Sequence, residues 1–303
     1  MVQKREFGDY SLYVLKSGKT EARVTDLGAT LQSLRYAGRE TVLGYDTPEA
    51  YLEGTDFLGA SIGRYGNRIA GASFPLNGRT VRLIPNEGPN QLHGGPRSYD
   101  KRRWEAELLE NGVRFTLVSP DGDGGFPGTL TAGVTYTLAG DTLRLDFEGE
   151  CDQDTVYAPT NHSYFDLAGD RDCLKARLWL GADKVVEVGE GLIPTGRLLP
   201  AEGAFDFSRE KPIGQEFDHC FPLTGEHACS LAAGGIRMDL FTDLPAVQIY
   251  TGRYLHAPYG AFAGVAIEPE FYPDSPNQPQ FPSTLLKAGE HFHRWAEYRF
   301  TAE

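Results

Sequence analysis

Four polar segments of this chain set ionisable or amide side chains at places where strands should end. GRYGNRI (63–69) supplies Arg64, Asn67 and Arg68. NQLHGG (90–95) supplies His93, followed by two glycines that let a ligand approach the backbone closely. APTNHSYFDLAG (158–169) holds His162 between Asn161 and an aromatic pair. In AIEPEFYPDSPNQPQFPS (266–283) an apolar run ends at Glu268, which Pro269 biases towards an extended backbone. Imidazoles and a carboxylate can remove and deliver protons at a polar substrate. Each segment also has an ordinary reading: a turn histidine, a loop cap, a solvated carboxylate, an arginine paired with one of many acids. Spacing alone does not show that these groups converge.

Metal chemistry has weaker support. His291-x-His293 occupies alternating positions of a final strand without a third ligand nearby, which suits a surface role better than a zinc site. Asp121-x-Asp123 begins like a calcium loop, but position five is Gly125 and the pattern fails. No G-x-S-x-G elbow, P-loop or dinucleotide fingerprint occurs.

The elements that must carry these residues are strands. Val113, Phe115 and Leu117 alternate in GVRFTLVS, as do Leu143, Leu145 and Phe147 in DTLRLDFEGE. GVTYTLAG, KARLWLGADKVVEV and PAVQIYTG are rich in β-branched and aromatic residues and bounded by Gly, Pro or Asp. DGDGGFPG and EGLIPTGRLLPAEG read as turns and loops. DTPEAYLEG predicts a short helix capped by Asp46 or Thr47, with Pro48 at its first position. Short strands with turn signals every few residues predict an all-β, antiparallel sandwich or barrel with few short helices. No linker or repeat divides it, so one domain over 1–303 is expected.

Composition bounds the partners. Asp and Glu number 42 against 29 Lys and Arg, a net charge of −13 that repels nucleic acid phosphates and anionic lipid and favours a neutral ligand. The first residues lack an apolar core for a signal peptide, and no stretch approaches the roughly 18 apolar residues of a membrane span. Four dispersed cysteines without a C-x-x-C pair read as reduced thiols of a soluble cytoplasmic protein. Asn161-His162-Ser163 matches a glycosylation sequon but lacks that secretory context.

The ordered set GRYGNRIAG, NQLHGG, YDKRRW, TNHSYFDL, EFDHCF, VQIYTG and EPEFYPDSPNQPQFP resembles the aldose 1-epimerase (galactose mutarotase) family from about residue 25 to the carboxyl end. The resemblance implies an antiparallel β-supersandwich, no metal, no organic cofactor and a monosaccharide substrate, in a monomer or homodimer. It implies His162 as general acid, Glu268 as general base and His93 as second active-site histidine. Asn67, Arg68, Asp218 and Gln248 fall where that family binds sugar hydroxyls. Opening a cyclic hemiacetal removes a proton from the C1 hydroxyl and delivers one to the ring oxygen, which a carboxylate and an imidazole can do together. Tyr164, Phe165 and Tyr272 are candidates for an apolar wall against the sugar. The chain departs from the family pattern with Glu268-Pro269-Glu270 for Glu-Thr-Gln, Cys220 for Asn, Gly66 for Ala and Asp166 for Asn. Glu270 adds a negative charge near the site, which bears on the choice of sugar.

Three rival readings accompany this one. A hexose-6-phosphate 1-epimerase would need cations near the sugar's C6 end, for which KRRW (101–104) is the available source. A carbohydrate-binding module of the same fold would need no acid–base pair. A glycoside hydrolase would need two suitably placed carboxylates, for instance Glu268 with Asp218 or Glu270.

Overall fold

The computed structural model describes residues 2–303. Its largest element is a nine-stranded sheet in the spatial order 105–108, 112–119, 130–139, 142–151, 291–302, 236–242, 227–233, 177–180, 211–212. A five-stranded meander (residues 3–40) packs on it, and a four-stranded sheet runs in the order 164–165, 265–270, 246–250, 218–222. All ladders are antiparallel. The alternating segments behave as their pattern demands. In the hairpin of 130–139 with 142–151, Val134 faces Phe147 and Tyr136 faces Leu145, with the inward set buried and the intervening set partly wet.

The faces meet in one continuous set of buried side chains. Tyr13 and Leu31 of the meander, Phe115, Val134 and Phe147 of the large sheet, and Ile249 and Ile267 of the four-stranded sheet all belong to it. Tyr13 meets Phe115 edge-on at 5.6 Å between ring centres. Burial of apolar area at about 25 cal/mol per Å² is the main force holding the layers. The one α-helix among the described residues, Pro48–Glu53, is capped by Thr47, whose hydroxyl accepts from the Ala50 amide at 3.3 Å. No helix is long and apolar enough to cross a membrane.

Two expectations change. EGLIPTGRLLPAEG is not all loop: Pro194–Pro200 forms a strand paired with Lys184–Val188. Its prolines sit at the strand's ends, where a missing N–H does least harm, and Gly196 takes a left-handed φ of 87°. KARLWLGADKVVEV breaks into two strands, 177–180 and 184–188, that join different sheets. The four cysteines are free and buried. Asn161 is wholly buried, its amide donating to Gly59 O at 2.9 Å, so no glycan can reach it.

Candidate active site

The cavity is lined by strand ends and the loops between them. His162 sits where the Thr160–Asn161 strand, paired to Ser61–Ile62, hands over to Tyr164–Phe165, paired to Val265–Ala266. Its backbone is fixed on both sides, since its N–H donates to Ala60 O and its carbonyl accepts from Gly59. Glu268 lies on the central Val265–Glu270 strand, directly across from Gln248. Asp218 is on the outer strand, and Gln248 Nε2 donates to its Oδ1 at 2.6 Å.

The GRYGNRI loop closes the opposite side. Arg64 does not enter the cavity. Its buried guanidinium donates to Ser119 Oγ and to the carbonyls of Ser119, Pro120, Pro127 and Gly128. Tyr65 Oη accepts from the Ser275 amide and donates to Tyr272 O, so the loop is tied to the chain following Glu268. Asn67 and Arg68 emerge from this anchored base.

Asn67, His93 and the adjoining Phe57 all have positive φ, at 63°, 50° and 55°. Backbones held in that sparsely populated region cluster at binding sites, where packing over-determines them. Gly94, the first glycine after His93, serves a loop contact that the sequence reading did not anticipate. A Cβ on Gly94 would lie 1.9 Å from Gly63 O, so only glycine lets the two loops meet.

Seven expected residues, Asn67, Arg68, His93, His162, Asp218, Gln248 and Glu268, therefore line one cavity of about 280 Å³. His162 Nε2 is 3.5 Å from Glu268 Oε1, too far for a strong hydrogen bond but close enough for one substrate group to touch both. Ligand atoms of His93, His162 and Glu268 lie within 4.8 Å of one another. The Asn67 backbone N–H donates to His93 Nδ1 at 3.1 Å, which makes His93 an acceptor on that side and leaves Nε2–H as a donor.

That tautomer bears on the metal question. A cation on His93 Nε2 would require the proton on Nδ1, against an N–H already pointing there. The three groups fit a hydrogen-bonding cluster better than a metal triad. His291 and His293 instead face Glu148 and Asp146 of the neighbouring strand on the outer surface, at 3.9 and 2.9 Å.

Burial shifts His93, His162, Asp218 and Glu268 towards their neutral forms. It lowers His162 to about 4 and holds His93 well below the usual histidine range, where the charges of His162 and Arg68 push further down. Burial, then the neighbouring Glu270 and Asp218, lift Glu268 well above an ordinary carboxyl. Asp218 rises for the same first reason, opposed by Arg68 and the Gln248 hydrogen bond. Arg68 is the one Lys or Arg among the described lining residues, and Glu87 already holds it through two bonds of 2.8 and 2.7 Å. The KRRW cations are engaged elsewhere: Lys101 on Tyr51 O and Gly54 O, Arg102 on Asp123, Arg103 over the Tyr10 ring.

Of the three aromatic candidates only Tyr164 lines the cavity. Phe165, one residue on, points to the opposite face and packs on Tyr298, while Tyr272 packs on Phe281. The sequence reading missed Phe57, whose ring sits 4.8 Å from His93 and 5.9 Å from His162, and Tyr250, 6.0 Å from Tyr164. Period-two spacing from Gln248 could have found Tyr250; nothing in GTDFLG signals Phe57. Also missed was a pair at the rim, where buried Asp56 Oδ1 meets exposed His256 Nδ1 at 2.8 Å.

Fold and cavity together define a β-sandwich protein with imidazoles and carboxylates gathered round a pocket of small-molecule size. The sequence profile of the family described as aldose 1-epimerase matches residues 11–299. Galactose mutarotase of Bos taurus is 36% identical over 337 aligned positions, covering 99% of this chain and 98% of that one. Aldose 1-epimerase of Escherichia coli K12 is 39% identical, covering 92% and 91%. A solved aldose epimerase homologue from C. elegans superposes with a TM-score of 0.92 at 28% identity, over 100% of this chain and 99% of that one. The chain belongs to the aldose 1-epimerase family and is an isomerase.

Proposed function

We propose that this enzyme interconverts the α and β anomers of free aldohexoses such as galactose or glucose, with Glu268 and His162 as the proton-transfer pair. The observation that carries the reading is the 3.5 Å approach of His162 Nε2 to Glu268 Oε1 in a pocket of monosaccharide size. Relatives named galactose mutarotase and aldose 1-epimerase support the substrate class.

The pair shares one proton. With His162 charged and Glu268 ionised, Glu268 accepts the C1 hydroxyl proton while His162 donates to the ring oxygen, and the C1–O5 bond opens. Carboxylic acid and neutral imidazole then face an aldehyde, which turns about C1–C2. Reclosure runs the transfers backwards: Glu268 protonates the aldehyde oxygen and His162 takes the O5 proton as the bond re-forms. Burial by itself favours the uncharged arrangement. Sugar hydroxyls supply the hydrogen bonds that bring the charged one within reach, so the two arrangements lie close in energy, as a reversible transfer needs. His93 Nε2–H is placed to donate to a sugar oxygen. Asn67, Arg68, Asp218 and Gln248 are assigned to the outer hydroxyls. Tyr164, Tyr250 and Phe57 offer apolar surface to the ring's C–H bonds.

A phosphorylated hexose suits this pocket poorly, because its one arginine is neutralised by Glu87 and Asp218 stands nearby. Polarimetry of freshly dissolved α-D-galactose, α-D-glucose and α-D-glucose 6-phosphate tests the reading. Acceleration over the spontaneous rate is expected for the free sugars and not for the phosphate. Binding of galactose without acceleration would identify a carbohydrate-binding module instead.

A further inference from the structure

Two residues beyond Glu268 on the same strand stands a carboxylate that the proton transfers above do not use. Alternate residues of a strand point to the same side, about 6.6 Å apart along it. Glu268 and Glu270 are therefore neighbours, and only 2% and 1% of their surfaces are exposed. Each keeps one buried oxygen without a hydrogen-bond partner, Oε2 in both cases. Their other oxygens differ. Asn67 Nδ2 donates to Glu270 Oε1 at 3.2 Å, whereas His162 Nε2 stands 3.5 Å from Glu268 Oε1, too far for a strong bond.

The surroundings are poor in compensating charge. Asp218 and the Cys220 thiol face the pair from the outer strand, Tyr65 from the loop behind Glu270, Tyr164 and Tyr298 from beside Glu268, and His93 and His162 from across the cavity. Arg68 is the one Arg or Lys acting on both carboxylates, and Glu87 shares it.

Resting on Glu268 as the base, we propose that Glu270 is a positioning residue for the reaction: it ionises first, and its fixed negative charge makes Glu268 the stronger proton acceptor. The order follows from the Asn67 donor, which favours an ionised Glu270 and has no equally close counterpart at Glu268. The Glu270 charge then disfavours a second charge beside it, so the proton is held more tightly on Glu268. Burial raises both groups, and Glu270 raises Glu268 further. The two carboxyl protons leave in steps that belong to the pair, and between those steps Glu268 still holds the proton it shares with His162.

Glu270→Gln removes the charge while its amide oxygen can still accept from Asn67. The readout is the alkaline limb of kcat/KM against pH, where the Glu268–His162 pair loses the proton it shares, measured by polarimetry. With the neighbouring charge gone, Glu268 gives up its proton more readily, so the limb should move to lower pH by at least about one unit. At the wild-type midpoint, the wild type retains about half of its plateau and Glu270→Gln about a tenth or less of its own. The plateau itself should fall severalfold because the base is weaker, with KM changed less than twofold. Glu270→Asp, which keeps the charge, should leave the limb near its wild-type position. An unmoved limb in Glu270→Gln, or an equal shift in Glu270→Asp, overturns the inference. Glu268→Gln in the same series separates the two levels. If it stays active, the base assignment itself fails; if it is inactive and the Glu270→Gln limb has not moved, only the present inference fails.

Discussion

Glu268→Gln is the most direct test of the chemistry, because one change should act in opposite senses on rate and on stability. Glutamine matches the volume of the glutamate and cannot take a proton at neutral pH. A positioned base contributes about 10²–10⁴-fold, or roughly 3–5 kcal/mol, so turnover of galactose should fall at least about a hundredfold. The folded state should meanwhile gain. Glu268 is buried beside Glu270 with one oxygen unpartnered, and burial raises its carboxyl above the unfolded value. The native protein then binds more protons than the unfolded chain wherever pH lies between the two pKa values. Wild-type stability must fall as pH rises from the ordinary carboxyl range, near 4.3, through the raised native value. The variant lacks that slope. Its Tm should match the wild type near pH 4 and exceed it at pH 8 by a few degrees, for a relief of about 1 kcal/mol. Polarimetry and circular-dichroism melts across pH provide both readings. Turnover within threefold of wild type, or lost turnover together with a lower Tm at pH 8, would refute the reasoning.

Other changes probe other parts of the site. His162→Asn should also cost at least about a hundredfold in kcat with little change in Tm, since its backbone bonds to Ala60 and Gly59 remain; polarimetry and melting check both. Glu87→Ala frees Arg68 from its two-bond clamp and should raise KM for galactose about tenfold while changing kcat much less, as steady-state kinetics would show. Gly94→Ala forces a Cβ to within 1.9 Å of Gly63 O at a left-handed φ of 83°. It should lower Tm and activity together, with a destabilisation of about 2 kcal/mol or more by denaturant titration.

How much of this could be read in the residues varies by element. Strands with one wet face were legible, as Val113, Phe115 and Leu117 show, because alternation survives wherever one side meets solvent. Pro194–Pro200 was not, because its prolines and glycine carry turn chemistry and only pairing with 184–188 makes it a strand. Within the site, the ionisable residues could be named through the family resemblance, whereas their convergence depends on pairings between strands a hundred residues apart in sequence. Phe165 and Tyr272 are candidates for the apolar wall because they adjoin site residues, yet a one-residue step along the strand turns Phe165 to the other face, and Tyr272 lies beyond the end of the Val265–Glu270 strand and packs on Phe281. Phe57 reaches the histidines through a positive-φ turn that no periodicity announces.

The cage around Arg64 has a consequence for how the enzyme loses activity on heating. Its guanidinium fastens the loop that carries Asn67 and Arg68 to the Ser119–Pro120 and Pro127–Gly128 turns at the edge of the large sheet. Removing that loop from its seat would strand a buried cation among carbonyls, so local fraying there is costly. The amides of residues 64–68 should exchange hydrogen as slowly as those of the central strands. Inactivation should then track the cooperative melting of the whole sandwich, with no earlier stage in which a folded molecule has merely lost its pocket.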